Sequence, residues 1–141
     1  MGVQTGDTGF TGDISFIESV NRSLLSVKKA TTELTGLSGA TATAASLVPA
    51  GSLVLAVTTR VTTLITGATT FDIGDGTDVD AFGAAIAVAA TTTTDLTDYT
   101  ITAPPIYAAA SDIVLTANGG SFSAGAVRIT VHYLSATAST S

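Results

Sequence analysis

The sequence predicts an all-β protein, an antiparallel β-sandwich of the jelly-roll type with an extended N-terminal arm. Hydrophobic and polar residues alternate with a period of two in several short segments, which is the pattern of half-buried strands. Threonine and valine, both good strand formers, are abundant. Turn-forming Gly, Pro, Asn and Asp residues separate the segments at intervals of roughly 8–12 residues, as in sandwiches and jelly rolls. The 141 residues are enough for one such domain.

The arm is assigned to residues 1–29. Residues 1–12 are rich in Gly, Thr and Asp and have no hydrophobic periodicity, so an extended or mobile chain is expected there. After Asp13, which is a suitable helix N-cap, apolar residues recur at helical spacing. Ser, Val and Asn lower the helix propensity of the same stretch. We therefore expect a short helical piece that leads into a strand from about Leu24.

The sandwich domain is assigned to residues 30–135, and the low-complexity residues 136–141 are expected to form a loose tail. The clearest strand lies at 126–134, where apolar residues alternate with polar ones. Val127, Ile129, Val131 and Tyr133 are expected on one face, and Arg128, Thr130 and His132 on the other.

A second alternating segment, residues 53–65, has Leu53, Leu55 and Val57 at odd positions. The odd positions are therefore expected to share one face of the strand. Further along, the turn sequence Asn118-Gly119-Gly120 lies between two alternating segments. That arrangement is a hairpin signal, although residues 121–125 make the connection longer than a two-residue loop.

The composition excludes several kinds of function. The chain has no cysteine, so thiol catalysis, disulfides and cysteine metal sites are absent. Its net charge is −6 and its five Lys and Arg residues are scattered, which disfavours nucleic acid as a partner. No signal peptide is recognised at the N-terminus, and no apolar stretch is long enough for a membrane helix. No membrane association and no cofactor are expected.

The densest ionisable cluster is FDIGDGTDVDAFG at residues 71–83, with Asp72, Asp75, Asp78 and Asp80. Clustered carboxylates are candidate calcium ligands. The spacing, however, lacks the oxygen ligands and the closing glutamate of an EF-hand loop, and it lacks the repeats of calcium-binding β-rolls. An Asp/Gly turn whose carboxylates accept local backbone amides is the favoured interpretation.

No catalytic constellation is evident. His132, the single histidine, has no nucleophile or carboxylate near it in sequence, so a hydrogen-bonded surface or interface residue is favoured over a general base. The nucleophile elbow of Ser hydrolases, the P-loop and the dinucleotide-binding glycine motif are all missing. We expect a protein that is not an enzyme.

Low charge combined with abundant threonine is expected of a β protein whose surfaces face other protein chains. Charge depletion is typical of interface cores, and threonine keeps a strand polar without adding charge. A threonine-rich monomeric sandwich would have the same composition. The composition therefore favours assembly without requiring it.

Two ordered motifs carry a resemblance that covers most of residues 30–135. They are LVPAGSLVLAVTTRVTTLITGATTFDIGDGTDVDAFG at 47–83 and DIVLTANGGSFSAGAVRITVHYL at 112–134. Together they resemble a β-rich domain of virion structural proteins of tailed bacteriophages, of the capsid decoration (cement) or tail-fibre-tip type. The resemblance brings no catalytic residues with it, and the first 29 residues lie outside it.

A short arm followed by one β domain suits a decoration protein on the capsid exterior. The resemblance then implies a homotrimer that bridges neighbouring capsomers, with the major capsid protein as its partner. The apolar residues of the arm are its expected anchors, namely Phe10, Phe16, Ile17 and Leu24. The alternative is a tail or head fibre tip that binds a host surface receptor through exposed loops. In that case Asp72 to Asp80 and Leu96 to Tyr107 are the candidate loops, with Tyr99 and Tyr107 as candidate sugar platforms.

Overall fold

The computed structural model describes residues 25–98 and 104–136. The described residues form eight strands and one short 3₁₀ helix, Leu96–Asp98. The strands are β1 Leu25–Thr35, β2 Thr41–Val48, β3 Ser52–Thr66, β4 Thr70–Gly74, β5 Gly83–Ala87, β6 Ile106–Tyr107, β7 Ser111–Asn118 and β8 Ala124–Ala136. Residues 27–135 make up one compact unit. The helical piece expected before Leu24 and the tail after Ala136 lie outside the described residues.

The strands form two four-stranded antiparallel sheets that pack face to face, which confirms the predicted fold class. Sheet I has the order β1-β8-β3-β6, and sheet II has the order β2-β7-β4-β5. The pairing is nested: the first strand neighbours the last, the second neighbours the seventh, the third neighbours the sixth, and the fourth neighbours the fifth. Eight strands in two sheets with this nested order are the topology of a jelly roll.

The core lies between the sheets and is built from alternate residues of their strands. Sheet I contributes Val57 and Val61 from β3 and Val127, Ile129 and Val131 from β8. Sheet II contributes Phe71 and Ile73 from β4 and Ile113 and Leu115 from β7. Most of these side chains are β-branched or aromatic, and such side chains fit a pleated, buried surface. The alternation predicted for residues 126–134 is confirmed, since Val127, Ile129 and Val131 are fully buried.

The face predicted for the first part of β3 is wrong. Ser52 and Val54 are buried, whereas Leu53 and Leu55 are half-buried. The pairing of β3 with β8 shifts register between Val54 and Ala56. A bulge there adds one residue, and one extra residue reverses the face on which every earlier side chain lies.

The hairpin predicted at Asn118-Gly119-Gly120 is also wrong, because β7 and β8 belong to different sheets. The connection crosses from sheet II to sheet I, and Phe122 within it is buried in the core. The backbone of Phe122 makes two hydrogen bonds with Gly39, at 2.8 and 2.9 Å. The turn sequence predicts that the chain folds back to pair with β7 in the same sheet. The chain instead crosses to the other sheet, because Phe122 is buried between the two sheets.

The crossing segment is held against the turn between β3 and β4. The amide of Ser123 donates to the carbonyl of Thr66 at 2.8 Å, and the amide of Thr69 donates to the carbonyl of Asn118 at 2.9 Å. Gly67, with a φ of +90°, lies so close to this segment that a Cβ atom would overlap the carbonyl oxygen of Ser121. A glycine is therefore required by both backbone conformation and space.

We predict that Gly67→Ala destabilises the protein more than Gly51→Ala. Both glycines have a positive φ, but a Cβ atom on Gly51 meets nothing within 4 Å. The two variants share the strain of a left-handed alanine, and only Gly67→Ala must displace backbone, an overpacking cost of roughly 1–3 kcal/mol. Urea unfolding of both variants measures the difference. An equal loss of unfolding free energy in the two variants would show that the backbone at Ser121 moves aside without cost.

Candidate functional site

The aspartate loop between β4 and β5 is organised by hydrogen bonds that its own carboxylates accept. Oδ1 of Asp75 accepts the amides of Thr77 and Asp78 at 2.9 and 3.0 Å. Oδ1 of Asp72, in strand β4, accepts the amide of Ala85 at 2.7 Å and the side-chain amide of Asn118 at 2.8 Å. The Asp75 bonds are those of the Asp/Gly turn that the sequence favoured, whereas Asp72 connects its strand to more distant parts of the chain.

Asp75 also connects this loop to strand β6. The hydroxyl of Tyr107 donates to Oδ2 of Asp75 at 2.8 Å. Burial opposes ionisation of Asp75, but the donated hydrogen bonds from Asp78, Tyr107 and Thr77 outweigh it and hold the pKa of this carboxyl below its usual value. Tyr107 itself is half-buried and packs against the core. Its hydroxyl is thus engaged within the fold, while Tyr99 lies outside the described residues.

Asp78 is exposed and Asp80 is half-buried in the second part of the loop. A side-chain hydrogen bond with Asp78, partial desolvation and the negative charge of Asp78 raise the pKa of Asp80. Within residues 25–98 and 104–136, no three His, Asp or Glu side chains are grouped as a metal site would require. Calcium binding by the four aspartates is the less favoured interpretation, and nothing in the described residues tests it.

Residues 91–94, the four-threonine run, cover part of the edge of β3. The amide of Val61 donates to the carbonyl of Thr92, and the amide of Thr94 donates to the carbonyl of Thr59. Thr59 and Thr94 are both buried, and the amide of Thr59 donates to the hydroxyl of Thr94 at 2.8 Å. An open strand edge invites pairing with other chains, so these threonines have a structural role that the sequence did not reveal.

A shallow groove crosses the outer face of sheet I. One part, of about 390 Å³, is lined by polar and cationic residues: Thr58, Thr59, Arg60, Thr93, Thr94, Arg128, Thr130 and His132. An adjoining part, of about 360 Å³, shares Thr58 and His132 with it. The remaining lining residues of that part are Val27, Leu55, Ala56, Asp95 and Leu96.

His132 lies where the two parts of the groove meet. Its Nε2 is 3.0 Å from the hydroxyl of Thr58, and no described carboxylate is hydrogen-bonded to its ring. A histidine that serves as a general base needs a group that orients its ring and a nucleophile within reach. The hydrogen bond from His132 to a hydroxyl on the neighbouring strand fits the interpretation of His132 as a hydrogen-bonded surface or interface residue.

The groove is bordered by a small polar network between β1, β3 and β8. Glu33 accepts hydrogen bonds from the hydroxyl of Thr62 and from Arg128, whose Nη2 is 3.3 Å from Oε2 of Glu33. These two donors lower the pKa of Glu33. The hydroxyls of Thr31 and Thr130 are 2.9 Å apart. Sequence spacing could not bring these residues together, because three distant strands supply them.

The predicted arm anchors Phe10, Phe16, Ile17 and Leu24 all lie outside the described residues. The described residues do expose other large apolar side chains, each more than half accessible. They are Val27, Leu64, Val79, Leu96 and Ile106. Among the described residues, no helix is long and apolar enough to cross a membrane.

Comparison with known proteins identifies a similar fold. No protein-family model and no curated protein matches the sequence. A chain of the cyanophage Pam1 capsid asymmetric unit is similar in structure, with a TM-score of 0.50 and 19% sequence identity. The similarity covers 79% of this chain and 84% of that one. At this identity, the likeness shows a shared fold that extends over most of both chains.

We predict that Tyr107→Phe lowers the free energy of unfolding at pH 7 by about 1–2 kcal/mol, because a partly buried carboxylate loses a donor. The folded pKa of Asp75 lies below its unfolded value of about 3.9. The stability that this hydrogen bond contributes is therefore complete above the unfolded pKa, and it is lost as the pH falls through the folded pKa. Urea unfolding between pH 7 and pH 2 measures this trend.

Tyr133→Phe is the matched control for this experiment. Tyr133 is also half-buried against the core, and within the described residues its hydroxyl has no hydrogen-bond partner. Its substitution should change stability little at any pH. An equal effect of the two substitutions, or a Tyr107→Phe effect that does not change with pH, would contradict the assigned role of Asp75.

For the aspartate loop, we predict the same thermal midpoint in millimolar calcium and in EDTA, because Asp72 and Asp75 already accept hydrogen bonds within the fold. A bound ion would stabilise the folded state in proportion to the logarithm of its concentration. Calorimetry in both solutions measures the midpoint. A calcium-dependent rise that disappears in Asp78→Asn/Asp80→Asn would instead establish the calcium site.

Proposed function

We propose that this protein is a structural component of a bacteriophage virion, and specifically a decoration or cement protein on the capsid exterior. The observation that carries the proposal is the eight-stranded jelly roll, which shares its fold along most of its length with a chain of the cyanophage Pam1 capsid asymmetric unit. The motifs at 47–83 and 112–134 resemble phage virion proteins and point to the same class.

The surface of the domain supports a role among other protein chains. Val27, Leu96 and Ile106 each expose more than two thirds of their surface. Only 11% of the residues are charged, and the polar networks around β1, β3 and β8 are built largely from threonine hydroxyls. Apolar side chains on a weakly charged surface suit a permanent interface, where charged groups would be costly to desolvate.

In this proposal, the protein acts as a clamp between neighbouring capsomers. Packaged DNA pushes the shell outward, and a protein that contacts two capsomers at once opposes their separation. We propose that it does so as a homotrimer on the major capsid protein, with Phe10, Phe16, Ile17 and Leu24 of the arm as anchors. Several weak contacts on one particle add up through multivalency.

The proposed role is structural and requires no catalytic step. His132 bonds the hydroxyl of Thr58, and the loop carboxylates accept amide and hydroxyl hydrogen bonds. Each of these groups has a partner that stabilises the fold. No cofactor enters the proposed function.

We predict that purified virions contain this protein in copy numbers on the order of hundreds, as repeated decoration of a shell requires. Heads that lack it should release their DNA at a lower temperature or a weaker osmotic shock, and added protein should restore their resistance. Quantitative gel densitometry and DNA-release assays measure both effects. A substitution of Phe16 by Ser should weaken this rescue.

A dozen or fewer copies per virion would contradict the decoration role and would favour a fibre tip. The isolated protein would then be expected to adsorb to host cells. Heads without the protein that are as stable as complete heads would equally exclude the clamp.

A further inference from the structure

Two arginines face each other on the groove side of sheet I. Arg60 of β3 and Arg128 of β8 are directly opposed in the antiparallel pairing, and both side chains are exposed. Residues opposed in this way have their Cβ atoms roughly 4.5–5.5 Å apart, and like charges at such positions repel. This chain has only five Lys and Arg residues and a net charge of −6. It nevertheless places two of the five side by side.

The charge of this pair is only partly balanced. Glu33 forms an ion pair with Arg128 at 3.3 Å. Within the described residues, the guanidinium of Arg60 has no carboxylate or other hydrogen-bond partner. Among residues 25–98 and 104–136, therefore, nothing occupies the guanidinium of Arg60, and a guanidinium forms a bidentate contact with a carboxylate.

The lining of the groove would complete an anion site at Arg60. Thr58, Thr93 and Thr130 line the same part of the groove. The hydroxyls of Thr58 and Thr130 are already hydrogen-bonded to His132 and Thr31, which leaves the hydroxyl of Thr93 as the candidate donor to an oxyanion. Glu33 already shows that this face holds a carboxylate beside a guanidinium and a threonine hydroxyl. Asp95 lines the adjoining part of the groove, and its carboxylate accepts hydrogen bonds from the amide and the hydroxyl of Thr97, both at 2.7 Å.

The other part of the groove is largely apolar, although Asp95 also lines it. Val27, Leu55, Ala56 and Leu96 line it, and it joins the cationic part at Thr58 and His132. Val27 and Leu96 are 74% and 68% exposed, so an occupant would bury apolar surface there. A ligand that fits both parts carries a carboxylate close to an apolar side chain.

We propose that this groove binds an acidic segment of a partner protein, with a carboxylate on Arg60 and an adjacent apolar side chain against Val27 and Leu96. Charge complementarity selects the carboxylate, and the apolar part selects a peptide over an oligosaccharide or a phosphate polymer. A long polyanion would also be repelled by the net negative charge of the chain. The inference rests on the groove itself and holds whether or not the capsid role is correct.

The test uses a fluorescein-labelled synthetic peptide in which two aspartates flank a leucine within a Gly/Ser sequence. Fluorescence anisotropy at low salt measures its affinity for the full chain, and amide chemical shifts locate its contacts. We expect weak binding that perturbs the amides of Arg60 and Arg128 and that weakens with added salt. The same peptide with asparagines in place of the aspartates should bind at least ten-fold more weakly, since each 1.4 kcal/mol is ten-fold.

Variants identify the contact. Arg60→Gln should weaken binding about ten-fold. Arg60→Lys should have an intermediate effect, because lysine keeps the positive charge but lacks the planar pair of N–H donors that binds both carboxylate oxygens. Lys28→Gln removes the same charge from β1 outside the groove lining, so it should leave binding unchanged. Urea unfolding verifies that the variants are folded, and the chemical shifts of the unaltered protein test the site without any substitution.

Several results would overturn the proposal. Equal affinity for the aspartate and asparagine peptides would exclude a carboxylate site, and an equal effect of Lys28→Gln would reduce the interaction to general charge. Tight binding of a heparin fragment with no binding of the peptide would indicate a polyanion site. Self-association in sedimentation that Arg60→Gln abolishes, without peptide binding, would assign the groove to a second copy of this chain.

Discussion

The antiparallel pairing of β3 with β8 runs along almost the whole length of both strands, from Ser52 to Thr66 on one side and from Ala124 to Ser135 on the other. Its inner face supplies Val57, Val61, Val127 and other core residues, and its outer face presents the arginine pair. Because side chains alternate between faces, the register that buries the valines also opposes Arg60 to Arg128. A slip of one residue would expose the core and bury the charges, so a single register determines both surfaces.

Threonine contributes to this arrangement in three ways. Thr59 and Thr94 are buried and hydrogen-bonded to each other, which joins the segment 91–94 to the edge of β3. Thr62 and Thr58 carry hydroxyls that bond Glu33 and His132. Thr41 and Thr43 of β2 are exposed and keep that strand polar without adding charge. The high threonine content, which first suggested an assembly surface, therefore also covers an open strand edge within the domain.

The sequence predicted those features that depend on local periodicity and turn chemistry. The alternation in β8 and the amide-accepting Asp75 are of this kind. Features that depend on distant chain segments escaped prediction. A period of two does not reveal the bulge at Leu55. The Asn-Gly-Gly turn does not reveal that the chain crosses to the other sheet, where Phe122 is buried. No spacing rule brings Glu33, Thr62 and Arg128 together. The groove was missed for the same reason, since β1, β3, β8 and the loop at 93–96 each supply a part of it.

The nested strand order has a consequence for how the chain acquires its structure. Only β4 and β5, the innermost pair, are joined by a short connection in one sheet, so their contact closes the smallest loop. Pairing of β1 with β8 closes nearly the whole described chain and carries the largest entropic cost of loop closure. All-β domains dominated by such distant pairings fold slowly, in milliseconds to seconds. During synthesis, β3 emerges long before its neighbour β8, so the backbone edge of β3 that pairs with β8 stays open until β8 has been made. An open strand edge can pair with other chains, so this interval is the one in which the chain is most exposed to aggregation.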